Sequence, residues 1–503
     1  EDRLKGLLAD HVERDSGRRI DIRGDLKVRL FPGIRLEAEQ VEISGPEDYQ
    51  GPSLLQAEFL EMNLRLLPMI RGELQASEVR LRGAELNLHA DSGGISSLEG
   101  LLETNPNPDQ SESWLDGPVQ VDDVLVNLSD SLGGRQEEFS VDQIELNGFA
   151  LGEPLEFRFR GNVGDPALFD WLEIDALMLP QDEGRFRLAN MRLIGAMESG
   201  HFDIEILGNL DVQPGPPLSV SLDSGQLRIN EHEFVSELQY TAFDQPYINM
   251  TLNAEMIDLD VARLPSLLAG QLGADSQSRV ISGLQAMDFD LDVKIGQVAQ
   301  TGLVLKDLEM TAQARDRRLA VDRLAAEVPG GFLSALGVVN MAPSGWSSEL
   351  GLRVDADDFG RLASSVPVDW APSGSGAFSM ALVLSSGTTG LEMTGQGAVE
   401  LWNGQWPVLQ SLVPSIWLDS ASDTFEFLST PIEINNGEFI LSEFQMVSEE
   451  MVAQGELRSD WPPESLAGVL DLTREEDFAR IQITGTLNEP EVVWLRPEAG
   501  DDP

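Results

Sequence analysis

Short runs in which apolar and polar residues alternate recur from one end of this chain to the other, broken by Gly and Pro. Phe157 and Phe159 interleave with Arg158 and Arg160, Phe289, Leu291 and Val293 with Asp290 and Asp292, and Ile481 and Ile483 with Gln482 and Thr484. A period of two is the signature of a strand with one apolar face and one wet face. A chain of 503 residues built almost wholly this way makes a very large one-sided sheet. Its apolar side must be covered by protein or by something else apolar, and that face is the functional lead.

Hydrophobic residues make up 42% and charged residues 24%, enough to bury a substantial core. The balance of 34 Lys and Arg against 86 Asp and Glu, a net charge of −52, excludes a general nucleic-acid surface, because phosphate repulsion dominates every approach. Residues 1–35 differ: nine Lys and Arg stand against seven acids, a basic end on an acidic body that suits anionic lipid head groups. Ordinary local fluctuation explains that excess equally well. No cysteine is present, so disulfide and thiolate chemistry are excluded. No apolar run reaches the roughly 18 residues of a membrane span. The chain begins at Glu1 rather than Met, which suggests a preceding signal or anchor.

Leu4, Leu7, Leu8 and Val12 fall at helical spacing before Ser16-Gly17, so the chain is expected to open with a short amphipathic helix. Ile20 and Ile22, then Leu26, Val28 and Leu30, alternate across Gly24-Asp25, which reads as a tight hairpin. A turn or short helix is expected around Leu64–Arg71. The organisation that follows is a helix-plus-strands region at 1–103, a linker at 104–118 rich in Pro, Asn and Ser, and a middle β region at 119–263. A helix or loop break at 264–283, a C-terminal β region at 284–496 and a polar tail at 497–503 complete it. Strand, Gly-containing turn and strand recur at Arg192–Leu210, Val328–Met341 and Gln445–Leu457, without a fixed short period.

Catalytic signatures are missing. His11, His89, His201 and His232 lie far apart, and none forms an H-E-x-x-H pair. His232 between Glu231 and Glu233 reads as a solvated strand edge, facing away from both carboxylates. Asp288, Asp290 and Asp292, and Asp355, Asp357 and Asp358 with Gly360, resemble the start of a calcium loop. Both fail: Val293 stands where the first needs Gly, and Phe359 and Val366 occupy ligand positions of the second. No G-x-S-x-G, Walker A or G-x-G-x-x-G element occurs. With 86 carboxylates, chance pairs are inevitable, so a glycosidase-like pair cannot be read from spacing. The expectation is a protein that is not an enzyme and has no cofactor or metal.

The run SGRRIDIRGDLKVRLFPGIRLEAEQVEISGP at Ser16–Pro46, continuing through LLPMIRGELQASEVRLRGAELNLHADSGG at Leu66–Gly94, resembles the opening of the AsmA family of bacterial envelope proteins. Leu305–Met341, Gly374–Trp406 and ITGTLNEPEV at Ile483–Val492 resemble the family's C-terminal region. Ile95-Ser96-Ser97-Leu98 departs from the Asn-Trp or Asn-Leu that the family often carries there. The resemblance implies a mainly β protein whose long, curled, antiparallel-rich sheet forms an elongated apolar groove. It further implies a periplasmic location, with an N-terminal helix outside this chain as inner-membrane anchor, and a role in outer-membrane biogenesis and lipid homeostasis.

The function so implied is a phospholipid conduit between inner and outer membrane. Its partners are phospholipids, the inner membrane at the N-terminal end and outer-membrane or envelope proteins at the C-terminal end, with no nucleic acid. Candidate lining residues are Val79, Leu81, Phe157, Phe159, Ile204, Ile206, Phe289, Leu291, Val293, Phe378, Met380, Leu382, Leu384, Ile481 and Ile483. For each, an ordinary core position facing a second sheet or a helix is an equal alternative. The competing function is a non-catalytic scaffold or assembly factor for outer-membrane proteins, its strands fully covered.

Overall fold

The computed structural model describes residues 5–6, 9–10, 13, 17–31, 33–70, 75–93, 95–97, 99, 115, 117–130, 135–147, 154–163, 169–181, 185–197, 202–213, 218–242, 246–259, 288–300, 302–342, 345–365, 372–387, 390–406, 423–460, 465–474, 477–486 and 490–495. The expected opening helix on Leu4, Leu7, Leu8 and Val12, the break at 264–283, the tail from 497 and most of the linker at 104–118 lie outside them. The protein is nearly all β: its strands form a mixed sheet of 27, not closed into a barrel, with two short helices among the described residues. Two compact units divide the chain, one mainly Glu1–Leu252 and the other mainly Asp290–Pro503.

In the first unit the elements are β1 (Ile20–Ile22), β2 (Leu26–Arg29), β3 (Ile34–Ile43), β4 (Leu55–Leu64), α1 (Leu66–Ile70), β5 (Ala76–Ala90), β6 (Val119–Asp130) and β7 (Arg135–Asn147). They continue as β8 (Leu155–Val163), β9 (Phe169–Pro180), β10 (Phe186–Met197), β11 (Phe202–Gln213), β12 (Leu218–Ile229) and β13 (His232–Ala242). Neighbours in sequence pair antiparallel from β6 to β13. The pair β5–β6 is parallel, because the chain crosses back between Ala90 and Val119 instead of turning tightly. Buried Leu115 on that crossing bridges Ala76.

The hairpin expected at Gly24-Asp25 does not form. β1 and β2 both pair with β3, successively along its length, and the chain reverses only at residues 30–33. Ile22 pairs Val41 while Leu26 pairs Ala38, so the three residues between them on one side answer two on the other. The N–H groups of Arg23 and Gly24 donate to the carbonyls of Gln40 and Glu39 at 3.1 and 3.0 Å, which keeps the two segments in line. Gly24 permits it, since a Cβ there would lie 2.6 Å from the Glu39 carbonyl oxygen.

This is the first of a series of bulges. Gln40 in β3, Gly83 in β5, Asp123 in β6, Asn190 in β10 and Ser224 in β12 all hold φ between 51° and 60° in mid-strand. Such bulges bend a strand and increase its local twist. They also lengthen the inward step from two residues to three. Ala38 and Val41, and likewise Leu81 and Ala84, are all buried.

The strands β14 (Tyr247–Asp258) and β15 (Asp288–Gln300) come next in the chain. The second unit then runs through β16 (Leu303–Arg315), β17 (Arg318–Val328), β18 (Gly331–Ala342), β19 (Gly345–Ala356), α2 (Phe359–Ala363), β20 (Ser375–Gly387) and β21 (Gly390–Gln405). It closes with β22 (Thr424–Asn435), β23 (Glu438–Val447), β24 (Val452–Asp460), β25 (Ala467–Arg474), β26 (Asp477–Gly485) and β27 (Pro490–Leu495). From β16 to β27 every neighbouring pair is antiparallel. Asp358 caps α2, its carboxylate accepting from the Arg361 N–H.

Candidate functional site

Pairing fixes which side chains share a face, because residues directly opposite in a ladder project to the same side. In the first unit one row of opposed residues runs Leu26, Ala38, Leu60, Leu81, Val121, Ile144, Phe159, Ile174, Leu193, Ile206, Leu227 and Phe234, crossing every strand from β2 to β13. None of the twelve is polar. In the second unit a matching row runs Met310, Leu324, Ala335, Leu352, Met380, Gly397, Ile432, Leu441, Leu457, Gly468, Ile483 and Val492, from β16 to β27. It too is wholly apolar or glycine.

The sequence-derived candidates fall on these rows and their neighbours. Leu81, Phe159 and Ile206 lie on the first row, and Val79 shares a parallel row with Val119, Leu146 and Phe157. Ile204 belongs to a third row, with Leu172, Gly195 and Ile229, which ends on His232. Met380 and Ile483 lie on the second unit's row; Phe378, Leu382 and Leu384 flank Met380 on the same side of β20, and Ile481 flanks Ile483. On β15, Val293 is buried and Phe289 and Leu291 are half-buried. The bulges hide others from a period-two reading: Ala84, Val124 and Val141 occupy the third row, one residue out of phase with the simple alternation. A Gly or polar residue inside an apolar run, such as Gly83 or Asp123, is the signal that marks them.

Burial divides both rows. Leu26, Ala38, Leu60 and Leu81 are sealed in a core with Leu36, Met62 and Val79, whereas Val121 through Phe234 are all half-buried. In the second unit Met310, Leu324, Ala335 and Leu352 are half-buried. Ile481 and Ile483 reach 0% exposure in a core with Leu401, Met446 and Leu472.

The opposite face is ionic. Arg158 bridges Glu145 on one neighbouring strand and Asp175 on the other, at 3.0 and 2.7 Å. Arg192 pairs Glu205 at 2.8 Å, and Arg480 pairs Asp471 at 2.6 Å. The Arg192 and Arg228 guanidiniums hold the Glu205 carboxyl below its ordinary range. Exposed pairs of this kind contribute roughly 0.2–1 kcal/mol each, so they order the wet face while the apolar rows and backbone ladders carry the stability.

A polar knot lies at the sealed end of the first unit. Buried Asp91 accepts the backbone N–H groups of Gly93, Ile95 and Gln50 at 2.8, 2.9 and 3.0 Å. Those bonds, the one from Gln50 foremost, hold its carboxyl below the usual range. Burial, with Asp91 nearby, pushes the Tyr49 phenol up to about 12. Tyr49 packs edge-on to His89, whose Nδ1 meets the Ser129 hydroxyl at 2.7 Å. These contacts tie loops to strands. His232 is buried at 9% exposure rather than solvated as the sequence suggested, because its row is the apolar face and not an outer edge. Among the described residues no cluster of three or more His, Asp or Glu could hold a metal ion, and no helix is long and apolar enough to cross a membrane.

Rows of this kind define a class: an open β-sheet protein whose one face is apolar from strand to strand and whose other face is charged. Residues 1–147 match the model of the AsmA family. The chain is 21% identical to Protein AsmA of Escherichia coli (strain K12) over 371 residues, covering 67% of this chain and 59% of that protein. It thus spans under two thirds of the length of the curated relative it matches. No solved structure matches. The likeness to the AsmA family is thus carried by a family match over residues 1–147 and by a distant similarity along much of the chain.

Proposed function

We propose that the apolar face binds the acyl chains of phospholipids, and that the protein conducts lipid between the inner and outer membranes of the bacterial envelope without catalysing a reaction. The observation that carries this is the pair of twelve-strand apolar rows, half-buried along much of their length. Half-buried Phe159, Ile174, Leu193 and Ile206 have apolar surface to gain from a tail laid across the strands. Each methylene moved from water contributes about 0.8 kcal/mol, so two tails are held without covalent chemistry. The charged face stays in water. The match of residues 1–147 to the AsmA family supports the envelope setting, and the −52 net charge favours recognition through tails over attraction of anionic head groups.

Native mass spectrometry of the purified chain, followed by solvent extraction, tests the reading. Phospholipid in defined stoichiometry is expected. Ile206→Asp and Leu382→Asp should abolish lipid binding and vesicle-to-vesicle transfer with near-native circular dichroism, whereas Ser379→Asp should not. A stable, lipid-free protein that transfers nothing overturns the reading in favour of a scaffold.

A further inference from the structure

Two segments of the first unit repeat one pattern: Arg29-Leu30-Phe31-Pro32-Gly33-Ile34-Arg35 and Arg65-Leu66-Leu67-Pro68-Met69-Ile70-Arg71. Each begins and ends on Arg, encloses two large apolar residues before a Pro, and contains no acid, in a chain with 86 acids against 34 basic residues. The fold sets them side by side. Ile34 opens β3 and is the register partner of Leu64, which closes β4, so the turn before β3 and the start of α1 leave the sheet at the same end. There Leu30, Phe31, Leu66 and Leu67 are exposed by 72%, 89%, 57% and 72%. Single exposed apolar residues are ordinary, but four at one end of the sheet, two on the turn before β3 and two opening α1, form an exposed patch.

The surrounding charge says what it fits. Arg29 pairs with Glu37 and Arg35 with Glu61, two residues further into the sheet than the Arg35–Asn63 register, and the two Arg side chains stay 67% and 45% exposed. Arg65 is exposed on the same end. Apolar tips ringed by guanidiniums match a bilayer interface, where the tips enter the acyl boundary and the cations meet anionic head groups. A soluble partner for so acidic a protein would instead be drawn to the carboxylate-rich remainder.

We propose that this tip, formed by the turn before β3 and the start of α1, is a membrane-docking surface that inserts Leu30, Phe31, Leu66 and Leu67 into an anionic bilayer. The absence of cysteine offers a clean test. An environment-sensitive fluorophore on Phe31→Cys of the full chain should shift to the blue on adding phosphatidylglycerol-containing vesicles. The shift should be absent with phosphatidylcholine alone, and a label at Val383→Cys should not respond. Each of Arg29→Gln, Arg35→Gln and Arg65→Gln should lower vesicle partitioning about fivefold, as about 1 kcal/mol per cation near an anionic surface implies. Replacing the four apolar residues by Ser should lower it by on the order of tenfold or more. No shift with anionic vesicles, unchanged partitioning of the variants, or a shift that follows protein concentration without lipid would overturn the proposal, the last by assigning the patch to a second copy. Native mass spectrometry separates this from the conduit reading: the Ser variant should still carry any lipid held on the apolar rows.

Discussion

The sealed and half-covered stretches of one apolar row make the useful comparison. Leu60 and Leu81 stand on the same row of opposed residues as Phe159 and Leu193, and Leu81 and Phe159 each sit between two arginines. Yet the first two are closed inside a core with Leu36 and Met62, and the second two keep part of their surface open. The second unit repeats the contrast between Ile481 and Ile483, fully enclosed, and Met310 and Leu324, half-buried. Alternation therefore decides which way a side chain points; what lies over it is decided elsewhere in the chain. A sealed stretch holds the fold, and a half-covered one is where a ligand has something to gain.

The largest expected effect lies in the sealed stretch. Ile483→Ala, at 0% exposure, should destabilise the second unit by about 2–5 kcal/mol, whereas Leu324→Ala on the same face should cost under about half as much. Urea unfolding of both variants checks this, and equal costs would break the comparison. Next comes acid. The Asp91 carboxyl titrates below its ordinary value of 3.8, so its contribution is present above that pH and is lost as pH falls through the lowered folded value. Asp91→Asn should lower the melting temperature of the first unit at pH 7 and shrink the gap at pH 3. A gap that is constant with pH would mean that the backbone bonds to this side chain do not depend on its charge. The smallest effect belongs to the wet face: Arg158→Gln should cost roughly 0.2–1 kcal/mol and less in high salt.

Much of this was legible in the residues. Phe157 and Phe159, Ile204 and Ile206, and Ile481 and Ile483 were placed on a shared face by period alone, and the short helix near Leu66 was visible in its apolar turn. The hairpin at Gly24-Asp25 misled because a Gly-Asp step between two strands looks the same whether the chain reverses or merely bulges. Only the pairing of both segments to β3 separates the two. Ala84 and Val124 were missed for the same reason, since one residue at positive φ shifts the phase of everything after it.

Composition and alternation by themselves determined a cysteine-free, strongly acidic, one-sided β protein, because side-chain direction in a strand is a local property of the backbone. The tertiary structure alone decided the bulges, the parallel step at β5–β6, the burial of His232 and which parts of each apolar row are closed. It also brought the two Arg-bracketed segments together at one sheet end. These depend on which strand stands beside which and on what packs over them, and neither is encoded in the period of any single strand.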